Sequence, residues 1–183
     1  TALSASQVVV GVGGVLTLPT AFTTNQMSNR IWIICQDAHL WAGGTISADA
    51  RGYQRNHGPG KGGMSPQWRG GGGGGYGGKG GGGSSGAAGT PYGIPSQPID
   101  PGSGGGDGYD GNYPAGHGGG AIRIEATGTI QVDGAISANG GNGNSGTYGA
   151  AGGGSGGGIF LTCLTFGGQQ GGWIRANGGN GLA

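Results

Sequence analysis

With 183 residues, 55 of them glycine and only 8 % charged, the chain departs far from an average globular composition of roughly 7 % glycine and about 25 % charge. An ordinary globular core is not expected, because ordering so much glycine adds an entropic cost on the order of tens of kcal/mol, which dense backbone hydrogen bonding or polymerisation has to offset. A formal net charge of +1, from six Arg and two Lys scattered among seven carboxylates, leaves no basic footprint for nucleic acid, and no run approaches the roughly 20 apolar residues of a membrane span.

The first predicted element is an apolar run, Val8, Val9, Val10, Val12, Val15, Leu16 and Leu18, inside an N-terminal segment of residues 1–30. Two readings fit it. One is a connector strand, led by Val8, Val9, Val10 and Val12, that adds to the sheet edge of a neighbouring subunit; the other is a first rung of the strand repeats that follow. Thr1 at the start suits a chain cut after a signal peptide, so an extracellular location, secreted or at the cell surface, is expected.

Residues 31–183 read as a glycine-rich β-repeat domain with strand copies at 31–52, 121–141 and 159–179. The copies share the motif G-x-I-x-A-(D/N), at 44–49, 134–139 and 172–177. Ile46, Ile136 and Ile174 each precede Ala48, Ala138 and Ala176 by two positions, which puts both on one face of a strand. Upstream, Ile122, Ile124, Ile130 and Val132 continue the alternation, and Gly128 and Gly134 mark bends. The pattern predicts an all-β fold, a right-handed β-solenoid-like stack (parallel β-helix) of these copies. Asp49, Asn139 and Asn177 close the motif at matching positions and predict a turn ladder, because Asn and Asp tolerate the left-handed conformation of a corner.

Glycine-rich inserts fill 53–120 and 142–158. They lack a strict G-X-Y period and contain few prolines, so collagen is excluded. Tyr53, Trp68, Tyr76, Tyr92, Tyr109, Tyr113 and Tyr148 punctuate the repeats and inserts, and flexible linkers are poor in aromatics. Ordered, polyproline-II-like inserts are therefore expected, with the runs at 70–75 and 80–83 hydrogen-bonded laterally.

The stretches 58–60, 71–78 around Tyr76, 90–93, 102–106, 118–124, 132–140 and 152–159 together resemble a glycine-rich repeat family of large secreted or surface-displayed proteins, mainly bacterial, with the pattern GGGAIxI followed by VDGxISANGG. The resemblance spans most of residues 31–181. It implies an extracellular location and a β-solenoid-like fold, and it brings neither catalytic residues nor a ligand.

Chemistry-bearing clusters are few. G-x-S-x-G at 82–86 and 153–157 does not join a strand to a helix, as a nucleophile elbow must, and Lys79 is followed by Gly80 rather than Ser or Thr, which rules out a phosphate loop. Polysaccharide cleavage needs paired carboxylates on one face, whereas here only Asp100, Asp107 and Asp110 cluster, in a loop. Those three form a calcium candidate without the spacing of an EF-hand. His39, His57 and His117 lack a zinc spacing. No catalytic residue, metal or cofactor is expected, and the chain is not read as an enzyme. Trp32, Trp41, Trp68 and Trp173 suit either packing or sugar stacking, and their exposure separates the two.

Cys35 and Cys163 both map by gap-free repeat arithmetic to position 125 (35 + 90 and 163 − 38). Two layers of a stack separate them by nearly 10 Å, too far for a disulfide. Head-to-tail stacking of subunits would instead bring copy three against copy one of the next, and with it Cys163 against Cys35; buried free thiols and an intramolecular bridge remain the alternatives. The expected function is a secreted structural subunit that polymerises with itself, head to tail, into an extracellular fibre or matrix. The alternative is a carbohydrate-binding adhesin at the tip of a viral or bacterial appendage, with a surface polysaccharide as partner.

Overall fold

A computed structural model describes residues 1–24, 30–66, 69–147 and 149–181, with the backbone alone at Asp110. It is almost entirely β, with parallel strands in a curled half-barrel sheet and a single 3-10 turn at Tyr109–Gly111. Among the described residues twelve strands run in chain order: β1 (Leu3–Val10), β2 (Val15–Thr17), β3 (Arg30–Leu40), β4 (Thr45–Ser47), β5 (Ala121–Ala126), β6 (Thr129–Val132), β7 (Ala135–Ser137), β8 (Ser145–Gly146), β9 (Gly149–Ala150), β10 (Ile159–Thr162), β11 (Thr165–Gly167) and β12 (Trp173–Arg175). All pairings but that of β8 with β9 are parallel, and they arrange the chain in four layers: β1–β2, β3–β4, β5–β6–β7 and β10–β11–β12.

The three strand copies are joined by a fourth layer from the N-terminal run, which pairs as a first rung of the strand repeats. β1 lies along β3 and β2 along β4 at a constant offset of 30, Leu3 opposite Ile33 and Leu16 opposite Ile46. Identical side-chain positions therefore stack into columns, such as Leu16–Ile46–Ile136–Ile174 and Ile33–Ile124–Leu161. The inward columns make one apolar core in which Ile33, Ile122, Ile124, Ile130 and Ile136 are almost wholly buried, each contributing roughly 1.5–3 kcal/mol relative to exposure.

Departures from gap-free stacking have local causes. The second layer places two residues, Gln36 and Asp37, where the third places Thr127, Gly128 and Thr129, a one-residue bulge that divides β5 from β6. Asp37 fixes it by accepting the Thr129 N–H at 2.7 Å on Oδ1, against which any Cβ at Gly128 would press. At the next corner Trp41, Ala42, Gly43 and Gly44 stand where the third layer has only Asp133 and Gly134, and the longer turn pushes Trp41 outward.

Beside the strands, the glycine-rich segments pack side by side and hydrogen-bond laterally at every third residue: Gly102 and Gly105 donate to Gly119 and Gly116, Gly71 and Gly74 to Ala150 and Gly153, Gly154 and Gly157 to Gly141 and Ala138. The segments approach so closely that a Cβ at Gly116 would overlap the Gly141 carbonyl, and one at Gly152 the Gly72 carbonyl. Aromatic and hydroxyl side chains pin the turns between them. Tyr76 and Tyr92 meet edge to face at 5.1 Å, the Tyr92 hydroxyl donates to the Pro101 carbonyl, and Ser103 Oγ donates to Tyr92 at 3.0 Å.

Candidate functional site

The turn ladder assembles, and its chemistry is more specific than conformational tolerance. Asp49 Oδ1 accepts the Asn139 N–H at 2.6 Å, and Asn139 Oδ1 accepts the Asn177 N–H at 2.9 Å. Each side chain thus satisfies the backbone of the next layer. Three parallel rails were missed: Asn142 to the Asn180 N–H, Asp133 to the Gln169 N–H and Asp37 to the Thr129 N–H. Asn142 and Asn180 carried a readable signal, since ANGGNG recurs at 138–143 and 176–181.

The cysteines require correction. The corner, two residues longer in the second layer, and the bulge, one residue shorter there, together shift the register by one, so Cys35 pairs with Ala126, and Thr162 opposite Glu125 brings Cys163 level with Ala126 as well. Both thiols are free, Cys35 buried and Cys163 partly so. Burial, and then the charge of Asp37, push the Cys35 thiol upward, away from thiolate reactivity. The fourth layer also removes the geometry for a bond across a head-to-tail junction: Ala5 occupies the Cys35 position in the first layer, so Cys163 would meet Ala5, with Cys35 one layer deeper.

Of the connector candidates, Val10 is buried and Val8 partly buried against β3, while Val9 and Val12 are exposed. The calcium candidate does not assemble. Both Asp107 oxygens are taken, Oδ1 by the Ala115 N–H at 2.7 Å and Oδ2 by Asn56 Nδ2 at 2.6 Å, with Arg55 3.7 Å away. Burial raises the Asp100 carboxyl, which disfavours a cation ligand there. The Asp110 side chain lies outside the described residues. Among the described residues no group of three His, Cys, Asp or Glu side chains converges on a metal position.

Two surfaces stand out. Among the described residues, the outer edges of β1–β2 and β10–β11–β12 in the end layers have no strand partner. They present Leu3, Val9, Val12 and Val15 at one end and Leu164, Phe166, Trp173 and Ile174 at the other, with Trp173 and Ile174 the least exposed of these. Spread along open edges, they give each end of the stack an exposed apolar rim. The second is a corner groove of about 450 Å³ lined by His39, Trp41, Gln131, Asp133, Gln169 and Gln170. Trp41 is 54 % exposed there. Gln131 Nε2 donates to Asp133 Oδ2 at 2.8 Å on its floor.

The remaining tryptophans divide as their surroundings dictate. Trp32 is packed: its Nε1 donates to Glu125 at 2.7 Å, and Arg123 sits 5.0 Å over its ring and 5.9 Å from Phe160, giving a cation between two aromatics across three layers. The Arg123 and Trp32 hydrogen bonds hold Glu125 below the usual carboxylate range. Trp173, partly exposed, carries Arg175 at 4.7 Å; Trp68 lies outside the described residues. Comparison with family models, with curated proteins and with solved structures found no match.

Proposed function

We propose that this chain is a secreted structural subunit that assembles with copies of itself into an extracellular fibre or matrix through the two end layers of its strand stack. The observation that carries the reading is the pair of open parallel edges with large apolar side chains along both. A stack of like layers buries its faces only against another layer, and a closed monomer would cap them. We read the four layers as turns of a short β-solenoid and the glycine segments, with their three-residue hydrogen-bond period, as polyproline-II helices. The family resemblance and the extracellular location belong to the same proposal. Sedimentation velocity over a concentration series tests it: the protein forms polymers, and Phe166→Glu with Trp173→Glu leaves monomers of unchanged melting temperature. A wild-type chain that stays monomeric throughout overturns the reading.

The Trp41 groove favours the second reading, a carbohydrate-binding adhesin. An exposed indole flanked by Gln, Asp and His offers a sugar both a stacking face and hydrogen-bond partners. Quenching or shift of Trp41 fluorescence by surface polysaccharide, lost in Trp41→Ala, is the measurement that distinguishes it.

A further inference from the structure

Segment 150–158 runs through the middle of the glycine bundle, buried from 151 onward, and its hydrogen bonds follow a rotation. It donates to segment 138–143 through Gly154 and Gly157, and to segment 100–107 through Gly152, Ser155 and Gly158. It accepts from segment 115–120 at Gly152 and Ser155, from segment 70–75 at Ala150 and Gly153, and from segment 176–181 at Gly154. Its neighbours are also joined to one another in turn: 70–75 to 100–107, that to 115–120, that to 138–143, and that to 176–181. Around this ring the roles alternate, accept, donate, accept, donate, accept. A three-residue helix in hexagonal packing has six neighbours, three receiving its N–H groups and three supplying them. Five places are filled. The sixth, due by alternation to receive N–H groups, falls between 176–181 and 70–75, which no hydrogen bond joins among the described residues.

A groove of about 710 Å³ occupies that place, walled by 178–181 and by 80–84 and floored by 70–74 and 150–154. A second hollow, sharing Gly74, Lys79 and Gly178 with it, extends along Gly156. The donors left over on the central segment are the N–H groups of Gly153 and Gly156, which have no hydrogen-bond partner among the described residues. They are one helical turn apart, about 9 Å at the polyproline-II rise. Glycine also persists on the groove walls where the chain itself does not require it. A Cβ at Gly81 or Gly82 would meet nothing within 4 Å, and at Gly178 nothing nearer than 3.8 Å. The charged residues lining the groove, Arg69 and Lys79, are both cationic.

We infer that this groove is a vacant helix position in the bundle that takes a glycine-rich polyproline-II strand, flanked by acidic residues, from a partner polypeptide. The strand accepts from Gly153 and Gly156 as the five existing neighbours' pattern requires. It carries glycine where it faces the walls, as the filled places do, where a Cβ at Gly116 or Gly154 would overlap a neighbouring carbonyl. Arg69 and Lys79 pair with its acidic flanks. The end layers do not enter this argument, so it stands or falls apart from fibre formation.

The test uses the intact chain at low concentration and the synthetic peptide Asp-(Gly)6-Asp, followed by amide NMR and hydrogen exchange. Binding slows exchange at Gly153 and Gly156, and Gly178→Leu or Gly82→Leu weakens it by about tenfold or more while the melting temperature holds. The inference is overturned if the peptide leaves both amides unchanged, or if Asp-(Ala)6-Asp binds equally well. Protection of both amides that rises with protein concentration in the absence of peptide overturns it too, by giving the groove to a second copy of the chain.

Discussion

At the scale of single residues, the glycine bundle divides its positions sharply. A Cβ on Gly152 has the Gly72 carbonyl in its way, and backbone cannot rotate aside as a side chain can. Gly152→Ala is expected to cost about 3 kcal/mol or more, whereas Gly82→Ala, in open space, is neutral or slightly stabilising. Thermal denaturation of the two variants reads the contrast. Titrating residues set the pH limits. Burial pushes the Tyr76 phenol up to about 12, and Tyr92 upward as well. The unfolded chain ionises these groups first, so their stabilising effect is complete below about pH 10 and is lost as pH rises toward 12. His117 behaves oppositely: burial and Arg55 lower it, and its Nδ1 accepts the Arg55 N–H at 2.9 Å. That contribution is present above about pH 6.5 and fades as pH falls through the lowered value. Denaturation midpoints between pH 4 and 12 should show both limbs, with the acid limb flattened in His117→Asn and the alkaline limb in Tyr76→Phe.

Among elements, the rails and the three-residue hydrogen-bond period predict an exchange pattern. Amides of residues 71–75, 80 and 83 are bonded and exchange slowly; those of Gly77, Gly78, Gly81 and Gly82, with no acceptor among the described residues, exchange freely. Asn139→Ala removes the acceptor of the Asn177 N–H and should speed that single amide. Uniform exchange across 70–83 would contradict the lateral bonding. The strand copies were legible because isoleucine alternation and the terminal Asp or Asn survive in all three. The first layer was half hidden: it reads G-V-L-T-L-P at 14–19, with Leu16 and Leu18 in place of Ile and Ala, and Pro19 in place of the ladder residue. The cysteine register was misjudged because the longer corner at 41–44 and the bulge beside Gly128 both lie upstream of the isoleucines that anchored the alignment, and their unequal lengths leave a net shift of one. The corner groove could not be read, since its depth comes from unequal corner lengths in neighbouring layers rather than from any residue pattern.

For the whole molecule, head-to-tail stacking meets a chemical obstacle at the junction. The ladder would continue from Asn177 to the first-layer position that corresponds to Asp49, and Pro19 there has no N–H to donate. Such a junction rests on strand edges and apolar contact, without the rail. Pro19→Asn should therefore lower the concentration at which polymers form, if subunits meet in this direction; an unchanged threshold would point to another orientation. Because Ala5 stands between the two thiols, gels run without reductant should show monomer, and a reductant-sensitive ladder would contradict the layer order.

The closeness of the glycine segments also reaches into the gene. Every missense change that a single base can make in a glycine codon installs a side chain, so the bundle admits no conservative mutation at positions like Gly116 or Gly152. Inherited variation is thereby channelled to positions with open space, such as Gly11, Gly77 and Gly167. A lineage carrying this architecture would keep an almost invariant interior and diversify along its rim.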